Sequence, residues 1–100
     1  MKVIRLFLDV VRTRITSGEY VFTTKAKTEL ELEDLDESFV LSAILGLTEA
    51  DFHHELDGST GTLWVFFVRL ERELFYVKLT IDDRGCVIIS FHPSDYEEWK

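Results

Sequence analysis

The chain predicts an α+β domain, with N-terminal helices packed on a mainly antiparallel sheet. Two observations carry that expectation. Apolar residues recur at helical spacing through the first half and at a spacing of two through the second. The second half also contains a hairpin signal, LTIDDRGCVII, in which Gly85 can take the positive φ a short loop needs. One hundred residues, 46% of them hydrophobic, make a single domain over residues 1–100 with enough apolar mass for a core. That composition argues against disorder.

Taken in order, Ile4, Phe7, Leu8, Val11 and Ile15 form a helical stripe that Gly18 can end with a left-handed cap. Val3, Leu6 and Val10 widen the apolar arc, so the start also fits a strand. Tyr20 to Thr24 reads as a short edge strand and Lys25 to Glu33 as a second helix packed through Ala26 and Leu30. Asp36 is the N-cap expected for a third helix burying Phe39, Val40, Ala43, Ile44 and Leu47. Thr48 and Asp51 form a capping box that opens a turn of helix carrying Phe52, His53 and His54. Gly58 to Gly61 is a loop. Thr62 to Leu70 is a strand apolar on both faces, with Trp64, Phe66 and Val68 opposite Leu63, Val65 and Phe67, as in a sheet covered on both sides. After a Glu71-Arg72 turn, Phe75, Val77, Leu79 and Ile81 alternate with Tyr76, Lys78 and Thr80. The return strand alternates Val87, Ile89 and Phe91 with Ile88, Ser90 and His92, and Pro93 closes it. Ser94 to Lys100 reads as a closing turn of helix.

The charge is −8 but uneven. Residues 1–28 carry six basic and two acidic side chains, whereas residues 29–57 carry ten acids and no Lys or Arg. The plain reading of that acidic run is a solvated helix surface, which leaves a basic face free elsewhere. The single cysteine, Cys86, excludes an internal disulfide and a cysteine zinc cluster. No apolar run approaches a membrane span of about 18–20 residues, and Arg5, Asp9, Arg12 and Arg14 break the start as a signal peptide. A cytoplasmic protein with no membrane contact is expected.

The hairpin locates a candidate site. With Asp83-Arg84-Gly85 as a three-residue loop and Asp82 opposite Cys86, Thr80 faces Ile88, Lys78 faces Ser90 and Tyr76 faces His92. Opposed side chains on one face lie about 4.5–5.5 Å apart at Cβ. One face is then apolar, and the other carries a tyrosine beside a histidine with a lysine next to them. Each of these also has an ordinary reading, as a half-buried tyrosine or an exposed strand-end histidine.

The stretches AILGLTEADFHHEL, TLWVF, YVKLTI and VIISFH together resemble the MqsR family of bacterial toxins, ribonucleases of toxin–antitoxin pairs related in fold to RelE-type toxins. The resemblance covers roughly residues 20–92. It implies a RelE/MqsR-like ribonuclease toxin fold, an mRNA substrate and a cognate antitoxin, with no cofactor, no resident metal and no DNA binding by the chain itself. The family's active-site tyrosine falls on Tyr76 and its two lysines fall on His54 and His92. Its glutamine falls on Val65, which lacks comparable polar chemistry.

Cleavage of RNA through its own 2′-hydroxyl needs a base for that proton, an acid for the departing 5′-oxygen, and charge on the phosphorane. Histidines, titrating near 6.5, suit acid and base roles at neutral pH. The expectation is therefore an endoribonuclease in which His54 and His92 exchange protons while Tyr76 and Lys78 hold the phosphate, with Arg69 and Arg72 as further phosphate contacts. The competing expectation is a non-catalytic, toxin-like or immunity-type module acting through protein contacts, which the net acidity and the apolar Val65 favour. Adjacent histidines on a regular strand point to opposite faces, so His53, His54 and His92 are not expected to gather a metal.

Overall fold

The computed structural model describes residues 2–59 and 61–94; the closing turn expected over residues 94–100 falls, from residue 95 on, outside them. The first segment is a helix, α1 (Lys2–Thr16), and the strand alternative is set aside by its burial pattern. Ile4, Leu8, Val11 and Ile15 are buried, whereas Val3 and Leu6 are about 60% exposed. Only a 3.6-residue period separates those sets. Gly18, at φ +79°, ends the helix, with its amide donating to the Ile15 carbonyl and the Glu19 amide to Arg14. The Arg12 guanidinium donates to the Leu45 and Leu47 carbonyls, fastening α1 to the segment around the end of the third helix.

Strand β1 (Tyr20–Phe22) leads directly into helix α2 (Thr24–Glu33). Thr23 caps α2 by accepting the Ala26 amide at 3.1 Å. Asp36 does precede α3 (Glu37–Leu45) in extended conformation, yet its side chain makes no cap hydrogen bond. The 3₁₀ turn Glu49–Asp51 follows, with the Thr48 amide donating to Asp51 at 2.9 Å.

Here the structure corrects the sequence reading. Phe52, His53 and His54 do not extend a helical turn; they open an edge strand, β2 (Phe52–Gly58). The segment lacks period-two apolar residues because little of it is buried, and its ladder with β3 (Gly61–Leu70) holds it in place. β3 returns through a two-residue turn, Glu71 and Arg72 both at positive φ, into β4 (Glu73–Asp82), which pairs with β5 (Gly85–Pro93). The sheet order is β1-β5-β4-β3-β2, antiparallel except for the parallel β1–β5 pair. With three helices packed on it, this is the expected α+β architecture.

The hairpin register differs from expectation near its loop. Asp82 pairs with Gly85, Ile81 with Cys86 and Thr80 with Val87, so the loop is two residues long, with Asp82 accepting the Arg84 amide at 2.8 Å. Gly85 is pinned there: at φ +104°, a Cβ would collide with the Glu19 carbonyl, which accepts the Cys86 amide. Between Leu79↔Ile88 and Lys78↔Ser90 the pairing shifts by one, leaving Ile89 as the extra residue of a bulge. Beyond it the expected register returns, with Tyr76 opposite His92. The bulge also switches faces, so Cys86, Ile88 and Phe91 reach the helix-covered core rather than Val87, Ile89 and Phe91.

That core joins the α1, α2 and α3 stripes to Phe66, Val68, Phe75, Val77 and Leu79. Phe66 and Phe91, both fully buried, are its largest members. Val65, Phe67 and Leu74 form a second, smaller cluster on the other face, with Tyr76 packed against it. No helix among the described residues is long and apolar enough to cross a membrane.

Candidate functional site

The face of the sheet opposite α1 and α3 carries the polar side chains, and the ladders arrange them in rows. One row runs His92, Tyr76, Phe67; the next runs Ser90, Lys78, Val65, His54. A bulge at His53, between the Phe52↔Phe66 and His54↔Val65 pairs, brings His53 to this face as well. Its ring lies edge-on to Phe67, centroids 4.9 Å apart, and its Nδ1 sits 2.7 Å from Nδ1 of His54. The two histidines therefore share a face, contrary to the alternation expected of a regular strand. Among the described residues, even so, no group of three or more His, Cys, Asp or Glu is placed to hold a metal ion.

Tyr76 and His92 stack, with centroids 5.0 Å apart and planes 14° from parallel, while Phe67 meets the tyrosine edge-on at 5.5 Å. Lys78 places its ammonium 5.9 Å from the Tyr76 centroid. His92 Nδ1 lies 2.8 Å from the Pro93 carbonyl. A carbonyl only accepts, so Nδ1 carries the hydrogen and Nε2 of the neutral ring keeps its lone pair. That Nε2 faces Glu29 of α2 at 3.9 Å, beyond a hydrogen bond and within ion-pair range once the ring is charged. Burial pushes the Tyr76 phenol up from its ordinary value, with Lys25 pulling it down and Glu29 pushing it up. The phenol is accordingly a hydrogen-bond donor at neutral pH.

The structure thus brings Tyr76, His92 and Lys78 together as the hairpin pairing requires. It does not bring His54 to the same point. β2 and β5 are three strand spacings apart, about 14 Å at roughly 4.8 Å per strand. Burial, then the charges of His53 and Lys78, hold the His54 imidazole below its usual value. Arg69 is exposed on β3, opposite Leu74 and on the same face, two residues along from Phe67. Arg72 sits in the β3–β4 turn, four residues from Tyr76 along the chain.

Two groups at this site escaped the sequence reading. Lys25 and Glu29, one helical turn apart on α2, pair at 2.8 Å, and Lys25 also reaches the Ser90 hydroxyl at 2.6 Å. The other Glu29 oxygen accepts the Phe91 amide at 3.0 Å. The spacing of Lys25 and Glu29 marks only a helix-surface pair. Their proximity to β5 follows from the β1–β5 pairing and the Thr23 cap, whose hydroxyl also donates to the Ile89 carbonyl at 3.1 Å.

The family model described as "Motility quorum-sensing regulator, toxin of MqsA" matches residues 5–93 of the chain. The chain belongs to the MqsR toxin family. No curated protein matches it. Membership accounts for the fold and makes this domain a member of a family of toxins described by their relation to MqsA. The positions onto which the MqsR resemblance carries the family site (His54, Val65, Tyr76 and His92) all lie in the two rows just described. Val65 stands between Lys78 and His54 with no exposed surface.

Proposed function

We propose that this domain is an endoribonuclease toxin that cleaves single-stranded mRNA in the cytoplasm, arrests growth and is neutralised by a cognate antitoxin. The observation that carries this reading is the Tyr76–His92 stack, with its free Nε2 lone pair and with Lys78 beside it. In the proposed reaction Nε2 of His92 takes the 2′-hydroxyl proton, and the 2′-oxygen attacks the adjacent phosphorus. The bond to the 5′-oxygen breaks, that oxygen takes a proton from water, and a 2′,3′-cyclic phosphate remains. The hydroxide so formed restores neutral His92. The Tyr76 hydroxyl and the Lys78 ammonium stabilise the phosphorane. Single-stranded RNA laid across the rows brings a flanking nucleotide to His54, which binds there rather than sharing a proton with His92. Arg69 and Arg72 serve backbone phosphates further along.

A second reading, a non-catalytic module acting through protein contacts, draws on one specific observation. Buried Val65 lies where the MqsR resemblance places a glutamine, so a polar contact in the centre of the rows is replaced by an apolar one. Expression in a bacterial host separates the two. The enzyme reading expects growth arrest by the wild type and relief by His92→Ala at equal soluble yield. Unimpaired growth with abundant soluble wild-type protein favours the binding module instead.

A further inference from the structure

We infer that Glu29 of α2 is the positioning residue of this site, holding the His92 imidazole through its Nε2 side and balancing the positive charge that ring gains. The inference rests on the reading of His92 as proton acceptor, and it adds to the reaction a side chain from outside the hairpin.

The geometry is specific. β1 pairs with β5 only over Cys86 to Ile88, and α2 then runs along the remaining β5 edge. Glu29 fills that edge. One carboxylate oxygen is fixed by the Phe91 amide at 3.0 Å, so the group cannot swing into solvent without abandoning a backbone donor. The other oxygen lies between two nitrogens, Lys25 Nζ at 2.8 Å and His92 Nε2 at 3.9 Å. The carboxylate side chain is 16% exposed and the imidazole 35%, so solvent screens this pair only in part.

The opposite edge of the ring is committed as well, through Nδ1–H to the Pro93 carbonyl. His92 is therefore held between a carbonyl that fixes its tautomer and a carboxylate that favours its protonated form. Lys25 opposes that second effect, because it shares the same Glu29 oxygen and carries a like charge to the imidazolium. The charged or titratable groups around the ring are Lys25 and Glu29 from α2 and Tyr76 and Lys78 from β4, among the described residues.

Two substitutions should then act with opposite sign. Glu29→Gln keeps an acceptor for the Phe91 amide and removes the charge. Lys25→Met removes the opposing charge and leaves the carboxylate to His92 alone. NMR titration of the His92 ring should place its midpoint lower than wild type in Glu29→Gln and higher in Lys25→Met, each by up to about 0.7 unit. In an RNA cleavage assay Glu29→Gln should lower kcat about two- to fivefold with KM unchanged, and move the acid limb of the pH profile the same way as the NMR midpoint.

A general packing defect does not produce opposite shifts from two neighbours on one helix. Midpoints that stay at the wild-type position in both folded variants overturn the inference, even if the wild type cleaves RNA. Opposite shifts in a protein that cleaves no RNA support the positioning contact and overturn the ribonuclease reading instead. Should Glu29→Gln fail to fold, a Lys25→Met midpoint that stays or falls still refutes the inference.

Discussion

Gly85→Ala is the perturbation that most directly probes how the fold delivers the site. Gly85 has φ +104°, a backbone region that residues with a Cβ rarely occupy, and such strain costs about 1–3 kcal/mol. The added Cβ also meets the carbonyl of Glu19, a backbone atom that cannot rotate away. Relieving the clash means parting Glu19 from Cys86, whose amide donates to that carbonyl at 3.0 Å. Losing that bond costs a further 0.5–1.5 kcal/mol or so. The expected loss is about 2–4 kcal/mol, read from urea unfolding with an unchanged m-value. Gly46→Ala is the control, because φ there is −90° and a Cβ makes only ordinary contacts, 3.6 Å at the nearest. That substitution should be neutral or mildly stabilising. A Gly85→Ala protein within about 0.5 kcal/mol of wild type, the spread of an ordinary surface change, refutes the argument that β1 and β5 meet through this contact.

Thr23→Ala removes both the cap on the Ala26 amide and the hydroxyl bond to the Ile89 carbonyl, and should cost about 1–2 kcal/mol; Thr23→Ser should restore most of it in the same unfolding assay. His54 supplies a pH dependence. Its folded midpoint lies below the 6.5 of the free group, first through burial and then through His53 and Lys78. The unfolded chain therefore binds its proton more readily, so the contribution of neutral His54 to stability is present above pH 6.5 and is lost as pH falls through the folded value. Unfolding at pH 7.5 and 5.5 should show a smaller loss in His54→Gln than in wild type, and an equal loss contradicts the assignment.

What the sequence reveals here depends on whether a residue's neighbours are local. The period of two in β3 and β4 identifies both strands and their buried faces, because both are packed on each side. The pairing of Tyr76 with His92 is legible for the same reason. The one-residue offset beside the loop is not, since it arises from Gly85 against Glu19, residues that nothing in the sequence joins. The bulge at Ile89 then absorbs that offset, and this is why a register wrong at Thr80 is right at Tyr76. β2 is illegible because an exposed edge strand held by backbone hydrogen bonds needs no apolar alternation. The bulge at His53 is hidden with it, and so is the sharing of one face by the two histidines. Glu29 reads as one more acid in an acidic run; only the fold sets it against His92. Similarly, the first helix is ambiguous from its eight apolar residues until burial divides them.

The central claim is that Tyr76 and His92, not the distant His54, form the reaction centre of an RNA-cleaving toxin. Its most direct test is cleavage of a mixed-sequence RNA by wild type, Tyr76→Phe, His92→Ala and His54→Ala, with the product ends mapped. The account predicts 2′,3′-cyclic phosphate ends from wild type and a fall of roughly 10²-fold or more in kcat for His92→Ala. Tyr76→Phe should lower kcat less steeply, and His54→Ala should mainly raise KM. Wild-type cleavage that survives His92→Ala unchanged, or that stops in His54→Ala through kcat alone, contradicts it.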